Sequence, residues 1–166
     1  SESREWHTPL SVVGPYISVQ HEWYGEGGAH PTYGTTWSVL DGRDPNARFN
    51  LADFVPEPIL LAALLADPTI LGALSGPPPA TLAALLSALD GGCAMDLGPN
   101  LLSQVAFAAL DDAGMHVRLG ISHGCEAERG TFTTIDLVLP PAPALLDGLQ
   151  LGQAAGTLMD RLVPRD

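Results

Sequence analysis

The densest group of side chains able to carry out chemistry lies within residues 21–30, which read HEWYGEGGAH. Imidazole and carboxylate groups are common ligands of zinc and other first-row metals. The candidate metal site formed by such groups consists of His21, Glu22, Glu26 and His30. The helical HExxH arrangement is missing, however, and His21 shares a predicted strand face with Ile17 and Val19. This pattern favours a packed, hydrogen-bonded imidazole, so we predict no cofactor and keep the metal site as an alternative.

A second acidic group, Glu126 and Glu128, lies in a predicted loop. Alternating positions would place both carboxylates on one side, where mutual repulsion could raise the pKa of one of them. A solvated acidic loop explains the same pattern without any chemistry. The chain also has no GxSxG nucleophile motif and no phosphate-binding loop with its lysine. We therefore predict no catalytic residues and favour a protein that is not an enzyme.

The charge balance excludes two classes of partner. Nineteen acidic residues oppose seven arginines, there is no lysine, and the net charge is -12. Nucleic acids and anionic lipid surfaces are bound through cationic side chains, so neither is an expected partner. The longest apolar run, residues 59–66, is far shorter than the ~20 residues that a membrane span needs. An acidic surface attracts basic partners, although acidity also maintains solubility.

The two cysteines, Cys93 and Cys125, have no zinc-type or CxxC spacing. An even number permits one disulfide between them without requiring it. A disulfide would indicate an oxidising compartment, whereas two free thiols would say nothing about location. We predict the pair as a disulfide.

The remaining pattern predicts strands on both sides of a helical middle. Strand-like segments cover residues 12–24, 33–40, 102–110, 115–121 and 131–139. Helical spacing begins at Pro58 and ends at Asp67-Pro68, and returns over residues 80–89 and, interrupted by glycines, 144–163. We expect the α+β class, with an antiparallel β-sheet (a hairpin plus a C-terminal meander) packed against a central helical block. Residues 1–11 are predicted to be a flexible N-terminal arm.

The glycine-rich segment YGEGGAH, residues 24–30, resembles the Tyr-x-x-Gly-Gly-Ala-His loop in the extracellular domain of RsiV-type anti-sigma factors. That domain also occurs beside some peptidoglycan deacetylases. Asp41-Gly42-Arg43 is similar to the Thr-Gly-Lys-type turn of the family, and residues 49–54 to its Leu-x-Asp-Leu-Phe segment. The resemblance covers residues 12–145 and leaves 146–166 as a C-terminal extension, predicted to be helical. The family's Tyr-Glu-x-x-Pro-Tyr loop is replaced here by residues 124–129.

The resemblance implies a non-enzymatic, extracytoplasmic binding domain of a bacterial envelope protein. It would be periplasmic, secreted or anchored through a segment outside this sequence, and would recognise a basic protein such as lysozyme or a cell-wall component. A metal-assisted hydrolase, or an accessory domain of a peptidoglycan-modifying enzyme, is the alternative. The expected ligand-binding residues are the aromatic and ionisable side chains of two neighbouring loops and their flanking strands: Trp23, Tyr24, Glu26, His30, Tyr33, Trp37, Glu126 and Glu128.

Overall fold

Six strands form two separate three-stranded antiparallel sheets. The computed structural model describes residues 2–91, 98–123 and 131–165. The strand order is β1-β2-β3 in the first sheet and β4-β5-β6 in the second. The strands are β1 (Ser3–Val13), β2 (Tyr16–Gly25), β3 (Thr32–Asp41), β4 (Val105–Asp111), β5 (Gly114–Ser122) and β6 (Phe132–Leu139). The predicted α+β class is confirmed, and the hairpin and the meander belong to different sheets.

The helices occupy the middle and the end of the chain: α1 (Glu57–Leu65), α2 (Pro68–Ala73), α3 (Leu82–Leu89), α4 (Leu146–Ala155) and α5 (Met159–Leu162). Asp67 separates α1 from α2, because its Oδ1 accepts the N–H groups of Thr69 and Ile70 at 2.8 and 3.1 Å. Leu60 of α1 and Leu85 of α3 are buried in the same apolar core as Phe107 of β4. None of the helices in the described residues is long and apolar enough to cross a membrane.

The first eleven residues differ from the sequence prediction, since most of them form β1 and not a flexible arm. Ser3 pairs with Gly25 of β2, and the antiparallel pairing continues to Val13 and Tyr16 with one irregularity between Pro9 and Ser11. Side chains in the first half of β1 are almost all exposed. The segment therefore lacks the apolar alternation that identifies a strand in a sequence, and backbone pairing with β2 holds it in place.

The C-terminal segment is helical, as predicted, and it packs closely against β1. A Cβ at Gly148 would lie 2.6 Å from a backbone nitrogen in the β1–β2 turn, and one at Gly152 would lie 3.0 Å from the carbonyl oxygen of Val12. The Val12 N–H donates to the Thr157 carbonyl at 2.8 Å, and the Thr157 hydroxyl donates back to the Val12 carbonyl at 3.2 Å. The glycines that weaken the helical pattern are therefore the residues that allow this close approach.

The two sheets meet where the indole of Trp37, on β3, lies against Gly120 of β5. Trp37 is 4% exposed, and a Cβ at Gly120 would lie only 2.5 Å from its Cδ2 atom. The ring of Phe132 packs beside the indole over the same glycine, with its centroid 5.3 Å from that of Trp37. The indole N–H donates to Oε1 of Gln20 at 3.0 Å. Trp37 thus occupies a space that exists because residue 120 has no side chain.

A buried arginine joins the second sheet to the last helix. Arg118 of β5 is 6% exposed, and its Nε donates to Asp136 at 2.7 Å while Nη2 donates to Asp160 at 3.2 Å. Burial opposes ionisation of Asp136, but the hydrogen bonds and charges of Arg118 and Arg165 outweigh it and hold the pKa of Asp136 below its usual value. The ion pairs therefore fasten α5 to β5 and β6.

We expect Gly120→Ala to lower the free energy of unfolding by about 1–3 kcal/mol, because the added methyl group would overlap the buried indole of Trp37. Urea unfolding followed by tryptophan fluorescence measures this. The matched control is Gly72→Ala in α2, where a Cβ would meet no atom within 4 Å. The free energy of unfolding of this control should be unchanged or slightly raised, since alanine stabilises a helix more than glycine does. Equal stability of the wild type and the Gly120→Ala variant would contradict the packing.

Arg118→Gln should raise the pKa of Asp136, because it removes the closest cation to that carboxylate. The lowered pKa of Asp136 contributes stability above the unfolded-state value, about 3.9, and this contribution disappears as the pH falls through the folded-state pKa. The stability difference between wild type and variant should therefore be larger at pH 6 than at pH 3.

Carbon-detected NMR titration of Asp136 and unfolding at the two pH values provide the measurements. Arg165→Gln is the control, since Arg165 is exposed and its Nη2 lies 3.3 Å from the same carboxylate. Its effect on the pKa should be smaller. An unchanged Asp136 titration in Arg118→Gln would be evidence against the ion pair.

Candidate functional site

One end of the first sheet extends past the apolar core. We call this end the sheet tip and define it as residues 3–7 of β1, 21–25 of β2 and 32–36 of β3, which pair with one another. None of these residues is buried, whereas Leu10, Trp37 and Val39 farther along the same strands are. Both faces of the sheet tip are therefore within reach of a partner molecule.

The face of the sheet tip that continues from Trp37 carries aromatic side chains. Tyr24 pairs with Arg4 on one side and with Tyr33 on the other, so these three residues form one row across the sheet. Trp6 lies in the next row, opposite Glu22. Trp6 is 48% exposed and Tyr33 is 45% exposed. This face therefore presents large apolar rings to solvent.

Tyr24 is held by a carboxylate from the neighbouring loop. Its hydroxyl donates to Oε1 of Glu26 at 2.6 Å. This hydrogen bond, with desolvation and the nearby negative charges, raises the pKa of the Tyr24 phenol. The Glu26 N–H also donates to the carbonyl oxygen of Glu2 at 2.8 Å, which ties the start of the loop to the start of β1. The phenol therefore stays a proton donor, and its ring is oriented within the row.

The opposite face of the sheet tip carries a stack of rings. The imidazoles of His7 and His21 lie parallel with centroids 4.6 Å apart, and the indole of Trp23 is 5.5 Å from His21. Nε2 of His21 lies 3.5 Å from Oε2 of Glu5. Trp23 covers Gly34, where a Cβ would lie 2.2 Å from the indole. His21 is thus packed between rings, as predicted, but on the outer face of the sheet. The expected hydrogen bond is not found at its Nε2 atom, which has no hydrogen-bond partner among the described residues.

The loop between β2 and β3 lies near the end of β5. A small cleft is lined by Trp23 and Tyr33 together with Ser122, His123 and Thr131. The Ser122 hydroxyl donates to the carbonyl oxygen of Thr35 at 2.6 Å. His30 is exposed within its loop. The described ends of the predicted second loop, His123 and Thr131, therefore lie beside the first loop.

The prediction that Trp37 is an exposed aromatic anchor of the two-loop binding site is corrected. Its ring is enclosed between the two sheets, and its only polar atom donates to Gln20. The expected alternation in β2 is present, but the polar residues Ser18 and Gln20 share the side of the buried Trp37 and Val39. Sequence hydropathy alone assigns the inner face to the apolar residues, whereas packing against the second sheet assigns it to the polar ones.

The alternative metal site is not assembled. His21 and Glu22 are adjacent in a strand, so their side chains point to opposite faces of the sheet. Glu26 is hydrogen-bonded to Tyr24. Within residues 2–91, 98–123 and 131–165, no group of three or more His, Cys, Asp or Glu side chains is close enough to hold a metal ion.

Four predicted residues lie outside the described part of the chain. These are the carboxylates of the second loop and the two cysteines: Glu126, Glu128, Cys93 and Cys125. Their roles and the proposed disulfide stay predictions.

The contribution of β1 to the sheet tip is not predicted by the sequence pattern. Trp6, His7 and Glu5 lie in a segment with no period, so they were assigned to an arm. The one available signal was Trp6 itself, since a tryptophan is unusual in a polar flexible segment. Only the pairing with β2 places these side chains beside the predicted site residues.

Comparison of the chain with protein-family models, with curated proteins and with solved structures gave no match.

Proposed function

We propose that the chain is a non-enzymatic, extracytoplasmic binding domain of a bacterial envelope protein, and that its sheet tip binds a basic protein surface. Lysozyme is the first partner to test, because the YGEGGAH loop resembles that of a lysozyme-binding domain family. The observation that carries the proposal is the pair of exposed rings, Trp6 and Tyr33, on a projecting sheet with carboxylates around them.

The aromatic residues supply the contact area that a protein interface needs. Tryptophan and tyrosine are enriched among the residues that dominate binding energy, because they bury much apolar surface at a low entropy cost. Trp6 and Tyr33 are already held by strand pairing, at Glu22 and Tyr24 respectively. A partner would therefore meet a preorganised row of rings, which lowers the cost of ordering side chains on binding.

The charges near these rings favour a cationic partner. Glu5 and Glu22 lie on opposite faces of the sheet tip, and Glu26 lies at its end. Arg4 is the only Lys or Arg within the sheet tip, and it is paired with Glu2. The net charge of -12 also favours a basic partner, since an acidic surface accelerates the approach of a basic protein.

We expect Trp6→Ala and Tyr33→Ala each to weaken binding to a basic c-type lysozyme by about 10-fold or more, the usual cost of truncating an interface anchor. Titration calorimetry at low and moderate salt, with muramidase activity measured in parallel, tests this. The matched control is Leu151→Ala in α4, since Leu151 is also highly exposed, at 71%, but lies far along the chain from the sheet tip.

Saturable 1:1 binding that survives moderate salt and falls only in the two tip variants would support the proposal. Heat that disappears with salt, or equal loss in Leu151→Ala, would exclude a specific lysozyme site at the tip. If a cell-wall fragment binds and lysozyme does not, and Trp6→Ala weakens that binding, the partner is different but the binding site is the sheet tip.

The double variant Glu5→Gln/Glu22→Gln should slow association more than it speeds dissociation, because exposed charges act mainly through long-range steering. Stopped-flow fluorescence over a range of ionic strength measures both rates. Asp112→Asn/Asp147→Asn is the charge-matched control outside the sheet tip. A change confined to the dissociation rate would show that the two carboxylates make direct contacts instead.

A further inference from the structure

A cleft separate from the sheet tip lies between β3, the segment that follows it and the turn before β4. Its volume is about 290 Å³. Its walls include the apolar side chains of Trp37, Val39 and Phe49. Five polar residues also line it, namely Arg48, Asn100, Gln104 and two serines, Ser38 and Ser103. This size is close to the lower end of the range for small-molecule sites, roughly 300–1,000 Å³. The cleft is therefore large enough for a ligand of a few heavy atoms.

Gln104 gives the cleft a buried hydrogen-bond acceptor without a partner. The residue is 8% exposed, and its side-chain Oε1 atom is buried and accepts no hydrogen bond in the structure. Its backbone carbonyl accepts the N–H of Gly120 at 2.9 Å, so the residue is fixed at the sheet junction. An unsatisfied buried acceptor is costly, and native proteins contain few of them. Once the side chain turns Oε1 towards the cleft, a ligand N–H or O–H group can satisfy this acceptor.

Arg48 gives the same cleft a cation that no carboxylate of a described residue neutralises. Four other arginines, Arg4, Arg43, Arg118 and Arg165, each form an ion pair with an acidic side chain. Arg48 is exposed and forms no ion pair or side-chain hydrogen bond with any described residue. Arg161 also forms no ion pair with a described residue, so Arg48 is distinguished by its position in the wall of the cleft that Gln104 lines too. Its planar fork of donors matches a carboxylate.

We propose that this cleft binds a small carboxylate that carries a hydrogen-bond donor on the neighbouring carbon, an α-amido or α-hydroxy acid. The carboxylate would lie on Arg48, and the amide N–H or the hydroxyl would donate to Oε1 of Gln104. Asn100 lines the cleft with an amide that can both donate and accept. Val39 and Phe49 supply apolar wall for the carbon part of the ligand. This site is independent of the partner proposed for the sheet tip.

N-acetylalanine and lactate are the probes, titrated into the full chain and followed by ¹H–¹⁵N NMR. We expect saturable shifts of the Gln104 side-chain amide and of the Trp37 indole N–H. Two analogues serve as ligand controls: N-acetylalanine amide lacks the charge, and acetate lacks the donor. Both should bind at least about tenfold more weakly, since each loses one of the two polar contacts.

Arg48→Gln should weaken N-acetylalanine binding by about tenfold or more, whereas Arg161→Gln, which removes an equal charge outside the cleft, should leave it unchanged. Gln104→Met should weaken binding while the unfolding midpoint in urea stays equal or rises, because the unsatisfied acceptor is replaced by an apolar group. A merely structural Gln104 would instead lower the midpoint. No saturable shift at tens of millimolar, or equal binding by Arg48→Gln and wild type, would overturn the proposal.

Discussion

The contact between Trp37 and Gly120 is the interaction on which the arrangement of the two sheets depends. An indole can lie directly on a strand only where the strand has no side chain, and β5 provides such a position at Gly120. The ring of Phe132 packs beside the indole over the same glycine. The half of the first sheet near Trp37 is thereby covered by the second sheet. The other half extends past this contact, and none of its residues is buried by the described part of the chain.

The N-terminal strand and the C-terminal helices pack against each other. β1 and the C-terminal helices are joined by the reciprocal hydrogen bonds of Val12 and Thr157, and Gly148 and Gly152 let the α4 backbone approach β1. Arg118 then fastens α5 to the second sheet. Neither terminal segment would be ordered alone, since β1 offers little apolar surface and α5 is a single turn. Each supplies the surface on which the other packs.

The first sheet has a covered half near Trp37 and a projecting sheet tip, so different residues serve stability and binding. Residues near Trp37 serve packing, whereas Trp6 and Tyr33 are about half exposed. The strand pairing that positions the exposed rings is the same backbone ladder that continues into the core. A rigid support of this kind lets exposed aromatic side chains keep their positions without being buried. The cleft beside Gln104 lies at the junction of the sheets, where polar residues face inward.

Much of the fold follows from local pattern. The Gly-rich segment that separates β2 from β3, the Asp111–Gly114 turn and the proline-initiated helix α1 are properties of short sequences, and the structure has them where expected. The α+β class follows from their order. Strand β1 could not be predicted in this way, because its side chains are exposed and its stability comes from a neighbour. The inner face of β2 was also beyond prediction, since Ser18 and Gln20 look like surface residues.

The sequence by itself thus determined the class of the fold, the strongly acidic charge and the location of the aromatic, acidic and histidine residues in the chain. Only the tertiary structure decided which of them are available. It buried Trp37, placed His21 on the outer face of the first sheet, and brought Trp6 beside Glu22 and Tyr24. The physical reason is that exposure depends on what packs against a residue, and strand pairing between distant segments sets this contact.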